Sequence, residues 1–166
     1  MAKLQHIDKK AHSDADPHTV YAMLLDRPAW PSWSPLESFE PETDGADGPR
    51  SVGAIGTFVT GKSRSREEIV ELVPDRRLSY RLLSGLPLNG YRADVDLAPS
   101  AGGGTDIRWH STFTAARPGT GWIYRLALGR FINHTVRGLA AAAAQRMADS
   151  GDGSQRTADG PLRSRR

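Results

Sequence analysis

Two stretches of strict alternation lead into one long helical stretch, and together they leave few folds open. Tyr91, Ala93, Val95 and Leu97 alternate with Arg92, Asp94 and Asp96. After a glycine-rich turn at 99–104, Ile107, Trp109, Ser111 and Phe113 alternate with Asp106, Arg108, His110 and Thr112. Period-two patterning with one apolar and one charged face predicts antiparallel strands that are wet on one side. The apolar side needs a cover. From Gly121 to about residue 148, helical spacing of about 100° per residue sets Tyr124, Leu128, Phe131, Ile132, Val136, Leu139, Ala143 and Met147 on one arc. Arg130, Asn133, His134, Arg137 and Gln145 fall opposite, and the alanine run adds intrinsic helicity. A long amphipathic helix is therefore expected to lie against the sheet.

The rest of the chain fits this plan. Residues 3–13 read as a first strand. Asp16-Pro17 starts a helix, because Asp caps free amides and Pro is tolerated at the first helical position. Val20, Met23 and Leu24 provide its apolar face, and Arg27-Pro28 breaks it. A second short helix through Trp30 and Trp33 ends at Pro35. Further strands are expected at 36–42, 54–60, 66–73 and 78–83, with a loop at 43–53 and a turn at 74–77. In the strand at 78–83, Leu78, Tyr80 and Leu82 oppose Ser79 and Arg81.

At 166 residues the chain is long enough for one well-buried core. It has no cysteine, which excludes disulfides, thiol nucleophiles and cysteine-bound zinc. The net charge of +3 invites a nucleic-acid reading. However, Arg156, Arg163, Arg165 and Arg166 against Asp152 and Asp159 put most of the excess into the final segment. No nucleic-acid partner is expected from so even a body. Residues 150–166, almost without apolar side chains, are expected to be a disordered polar tail after a domain spanning 1–149. The run Leu139–Ala144 is too short to span a bilayer, and the N-terminus lacks a signal peptide's apolar stretch. A cytoplasmic protein is expected.

Three stretches add a resemblance. Trp30-Pro31-Ser32-Trp33-Ser34-Pro35 follows the first helix, Pro74-Asp75-Arg76-Arg77-Leu78-Ser79-Tyr80 forms a strand-turn-strand centre, and Gly103-Gly104-Thr105-Asp106-Ile107-Arg108-Trp109 makes a late hairpin. In this order, over roughly residues 3–148, the chain resembles the START-like superfamily, also called helix-grip or SRPBCC, which includes polyketide cyclase/dehydrase and pollen-allergen-like proteins. The resemblance implies an α+β fold. A curved antiparallel sheet of about seven strands would wrap around a long C-terminal helix, with two short helices after strand one. It also implies an internal cavity for a hydrophobic small molecule; separately, no cofactor is expected. The function would be that of a polyketide cyclase or aromatase, or of a non-catalytic lipid or metabolite carrier.

Alternation turns Tyr80, Leu82, Tyr91, Val95, Trp109 and Phe113 inward, with Tyr124 and Leu128 from the helix. They serve either as core packing or as a ligand-binding lining. Trp33, with Trp30, either sits at the pocket mouth or staples the short helices to the sheet. If the resemblance extends to cyclase chemistry, Tyr80 and Tyr91 are the candidate catalytic acid/base groups. Glu67, Glu68 and Glu71 are candidate bases only if one faces inward; otherwise they pair with Arg81, Arg92 or Arg108.

Other chemistries find little support. His6, His12, His18, His110 and His134 have no metal-ligand spacing, so no metal site is expected, and His110 and His134 read as solvent-exposed. No G-x-S-x-G elbow occurs. The segment from Gly56 to Ser63 matches the phosphate-loop pattern and makes a nucleotide hydrolase a remote alternative. Its interior, Thr57-Phe58-Val59-Thr60, favours extended strand, so Gly61-Lys62-Ser63 is expected to be a hairpin turn.

Overall fold

A computed structural model describes residues 2–156. The elements follow as β1 (Gln5–Ser13), α1 (Pro17–Leu25), a 3-10 helix (Arg27–Ser32), β2 (Ser38–Thr43), β3 (Ile55–Thr60), β4 (Ser63–Val73), β5 (Arg77–Ser84), β6 (Leu88–Pro99), β7 (Thr105–Ala115) and α2 (Gly121–Arg156). The strands form one antiparallel sheet in the order β1-β7-β6-β5-β4-β3-β2. β2 to β7 therefore make an uninterrupted meander, and β1 closes it by pairing with β7. The expected sheet of about seven strands around a terminal helix is the observed architecture.

Local chemistry explains the element ends. The Asp16 carboxylate accepts from the Thr19 amide at 3.0 Å and from its hydroxyl at 2.8 Å, and Pro17 opens α1. The Trp30 indole donates to the Leu24 carbonyl at 3.0 Å, tying the 3-10 helix back to the end of α1. Gly56 to Thr60 lie in β3, Gly61 and Lys62 make the turn, and Ser63 opens β4. Extended backbone in place of a loop-to-helix cradle leaves the phosphate-loop pattern without converging amides.

The alternation sorts the sheet as written. Leu78, Tyr80, Tyr91, Val95, Ile107, Trp109 and Phe113 are buried on the concave face. The convex face carries a ladder of ion pairs: Arg108 with Asp8 at 2.7 Å, Arg77 with Asp96 at 2.6 Å and Arg92 with Glu71 at 2.6 Å. His110 departs from expectation. It is half-buried, because Asp96 Oδ2 holds its Nε2 at 2.7 Å within this ladder. His134 is exposed.

The helix α2 meets the sheet unevenly. Ile132, Val136, Leu139, Ala140 and Ala143 are buried, whereas Tyr124, Leu128 and Phe131 are only partly covered. Met147, expected on the apolar arc, is 39% exposed, because the helix has by then run past the body. The segment expected as a polar tail begins inside α2, which continues to Arg156; residues 157–166 lie outside the described residues. Ser13 Oγ donates to the Ala140 carbonyl at 2.7 Å, joining β1 to α2. At Gly138 the helix crosses the end of the 3-10 segment so closely that a Cβ there would lie 1.8 Å from the Trp33 carbonyl oxygen. Gly138→Ala is expected to lower stability by about 2 kcal/mol through this forced separation. Thermal unfolding should show it as a fall in Tm of several degrees.

Candidate functional site

Where α2 stands away from the sheet, a cavity of about 370 Å³ opens. Its walls come from the 3-10 helix, from β3 to β7 and from α2. Trp30 enters from the 3-10 helix, Phe58 from β3, Ser65 and Glu67 from β4, Tyr80 and Leu82 from β5, Tyr91 from β6 and Trp109 from β7. α2 closes the other side with Tyr124, Leu128, Phe131 and Thr135. The lining is mainly apolar, with a few polar tips converging on it, which is the usual make-up of a small-molecule site.

Aromatic contacts set the floor rigidly. Trp30 stacks on Phe58 at 5.0 Å and meets Trp109 edge-on at 5.5 Å. Tyr80 lies 6.2 Å from Tyr91 and 6.3 Å from Trp109. The Trp109 indole donates to the Tyr80 hydroxyl at 3.2 Å, so the Tyr80 proton remains available to another acceptor. Burial holds both tyrosines protonated. It raises Tyr80 well above its ordinary value and pushes Tyr91 up to about 12, with the Glu67 charge adding to each shift.

Glu67 is the one acid of this strand that faces in. Glu68 pairs with Arg81 at 2.6 Å and Glu71 with Arg92 at 2.6 Å on the convex face, as the cross-strand alternative predicts. The register of β4 against β5 shifts between Arg66 and Glu67 and again between Ile69 and Glu71. These irregularities re-aim single side chains, and they explain why plain alternation failed on this strand. Across β3, Glu67 faces Gly56, whose missing side chain leaves room filled by the Phe39 ring: a Cβ there would lie 2.3 Å from it. Burial pushes the Glu67 carboxyl up to about 8, against the opposing pull of Arg27 and Ser65. Arg27 is itself buried, with 4% exposure. Its guanidinium lies 4.9 Å from the centre of the Phe39 ring, and Nη1 donates to the Glu67 carbonyl oxygen at 3.5 Å. A cation thus sits beneath the acid, within a stack of Arg27, Phe39 and the Gly56 backbone.

Tyr80, Leu82, Tyr91, Trp109, Tyr124 and Leu128 stand together around this space. Trp33, Val95 and Phe113, expected among the lining, do not. Trp33 is buried behind Trp30 at 5.5 Å, so it backs the wall and Trp30 forms it. Val95 is fully buried in the core, and Phe113 lies behind Tyr91 at 6.0 Å. Alternation tells inward from outward but not wall from core. Phe58, Ser65, Phe131 and Thr135 join the wall without having been singled out. Phe131 lay on the predicted apolar arc, but no local signal marks Ser65 or Thr135. Among the described residues, no three His, Asp or Glu side chains cluster as metal ligands would, and no helix is long and apolar enough to cross a membrane.

The architecture has known counterparts. A START superfamily protein from Mycobacterium smegmatis superposes with a TM-score of 0.72 at 14% identity, covering 84% of this chain and 97% of that one. The di-domain ARO/CYC StfQ from the steffimycin biosynthetic pathway superposes with a TM-score of 0.70 at 15% identity, covering 87% of this chain and 52% of that one. Among curated proteins, no sequence match is found. The sequence profile of one family matches residues 5–150, and the chain belongs to that family, described as polyketide cyclase / dehydrase and lipid transport.

Proposed function

We propose that the cavity binds a hydrophobic small molecule with one or more carbonyl groups, and that Glu67, Tyr80 and Tyr91 promote an intramolecular aldol-type cyclisation of it. The observation that carries this reading is a carboxyl buried in the wall of a mainly apolar chamber, whose burial pushes it up to about 8. Burying such a group is costly, and perturbed titration inside a cleft is the physical mark of acid–base work. The cavity's 370 Å³ lies near the lower end for drug-sized ligands, which favours a compact ring system or a single folded chain over a two-chain lipid.

The proposed steps balance on the chain's own groups. The Glu67 carboxylate takes a proton from a carbon between two carbonyls. The resulting enolate carbon attacks a second carbonyl of the same folded chain and forms a carbon–carbon bond. Glu67 then returns the proton to the new alkoxide oxygen. Tyr80 and Tyr91 hold their protons too tightly to release them near neutral pH. They act in this reading as hydrogen-bond donors to the developing oxyanion, in a site from which the aromatic walls exclude water. Most of the barrier reduction would come from folding a flexible chain into reacting geometry.

A carrier would use the same cavity without the chemistry, and the family description also covers lipid transport. The two readings separate by experiment. Native mass spectrometry with a panel of cyclic aromatic ketones and single-chain fatty acids should show a mass shift for the ketones. Leu128→Trp, which fills the space, should weaken that binding at least tenfold with little change in Tm. An unshifted mass with every probe would count against both cyclase and carrier. On a synthetic poly-β-keto thioester, Glu67→Gln and the pair Tyr80→Phe and Tyr91→Phe should each slow cyclised product formation about a hundredfold. Ligand binding with no turnover in any version would leave the carrier.

Titration of Glu67 also makes stability depend on pH. Its carboxyl has an ordinary value of 4.5 and a folded value of about 8. Between these values the native state keeps a proton that the unfolded chain has already lost, so this group makes stability fall as pH rises from one value to the other. Glu67→Gln should therefore gain stability over the wild type as pH is raised from about 5 to about 8.5. Urea midpoints at both pH values measure the difference, and an unchanged gap would show that Glu67 titrates normally.

A further inference from the structure

The convex arginines are spoken for, and those beside α2 are not. On the sheet, Arg77, Arg81, Arg92 and Arg108 each hold a carboxylate. Among the described residues, Lys3, Lys9, Arg117, Arg125 and Arg130 form no ion pair. They gather on the shallow groove between β1 and the first turns of α2. The one acid in the groove, Asp8, is bound to Arg108. No Asp or Glu occurs between Asp106 and Asp149, so the whole described length of α2 up to that point offers only cations. Within this rim, large apolar side chains that the fold leaves bare stand one helical turn apart: Trp122 is 60% exposed and Leu126 53%, with Leu4 at 52% across the groove, and Ile123, next to Trp122 in the chain, is 47% exposed.

We infer that this face of β1 and α2 docks on an anionic lipid surface. An exposed tryptophan with neighbouring aliphatics, ringed by lysine and arginine, matches the two needs of interfacial binding. The apolar side chains enter the boundary between headgroups and acyl chains, and the cations meet the negative headgroups. Duplex nucleic acid would use the charge but give Trp122, Leu126 and Ile123 no apolar partner. The inner side of the same helical turns bears Tyr124 and Leu128 on the cavity wall, so a docked protein would hold the chamber beside the lipid. Docking itself does not depend on what the cavity binds.

The test is co-sedimentation of the full chain with vesicles of phosphatidylcholine alone and of phosphatidylcholine doped with phosphatidylglycerol. The protein should pellet with the doped vesicles and stay in solution with the neutral ones, and added salt should release it. Each cation removed should weaken binding about fivefold, so Arg125→Glu with Arg130→Glu should cost well over tenfold. Trp122→Ala with Leu126→Ala should weaken binding at least tenfold, and unchanged Tm values would show these variants folded. Arg76→Glu, one charge reversal at the exposed β4–β5 turn, should bind as the wild type does, whereas Arg125→Glu alone should not. Equal pelleting with both vesicle types, no pelleting with either, equal loss in Arg76→Glu, or binding to a short DNA duplex in preference to the doped vesicles would each overturn the inference.

Discussion

The structure depends on how close α2 is allowed to come. At Gly138 the helix backbone rests against the Trp33 carbonyl, and nearby Ala140 and Ala143 are small enough for the helix to settle onto β1. Toward its start the same arc carries Tyr124, Leu128 and Phe131, which are too large for that approach. One end of the helix is thus clamped and the other propped away from a curved sheet, and the wedge between them is the cavity. Close packing elsewhere, with Ile69, Leu78 and Leu139 fully buried, keeps the wedge from collapsing.

Within that wedge, Glu67 is tolerated because its surroundings share the cost of burying a charge. Arg27 supplies a cation from beneath, stacked on Phe39. Phe39 in turn occupies the space that Gly56 leaves open. The carboxyl is neither locked into a contact ion pair like Glu68 nor left without a compensating charge. That intermediate environment brings its titration close to neutrality, where a group can both take and return a proton.

Charge obeys the same spatial logic. Summed over the body, acids and bases nearly cancel, and the sequence reads as unremarkable. Sheet register then marries most of the acids on the strands to strand arginines, because side chains on one face of a sheet lie within reach along and across neighbouring strands. The cations of β1 and α2 are left over, together with the apolar side chains that the core has no room for. An electrostatic face is created by sorting, with no change in net charge.

Much of the fold was legible in the chain alone. Period two at Tyr91–Leu97 and Ile107–Phe113, the Asp16-Pro17 start and the long amphipathic arc each reflect local geometry, which needs no knowledge of distant neighbours. The site was legible only in part. Tyr80, Leu82, Tyr91, Trp109, Tyr124 and Leu128 fall on the wall because their faces follow from periodicity, yet the same periodicity placed Val95 and Phe113 there, and they belong to the core. Glu67 could not be told from Glu68 and Glu71, since the register shifts that turn it inward are made by pairing with β5. The sequence by itself determined which side of each regular element is greasy, because side-chain direction repeats with backbone geometry. Only the tertiary structure decided which greasy surfaces touch, which stand apart and which acid lies between them, because those are set by distances between residues far apart in the chain.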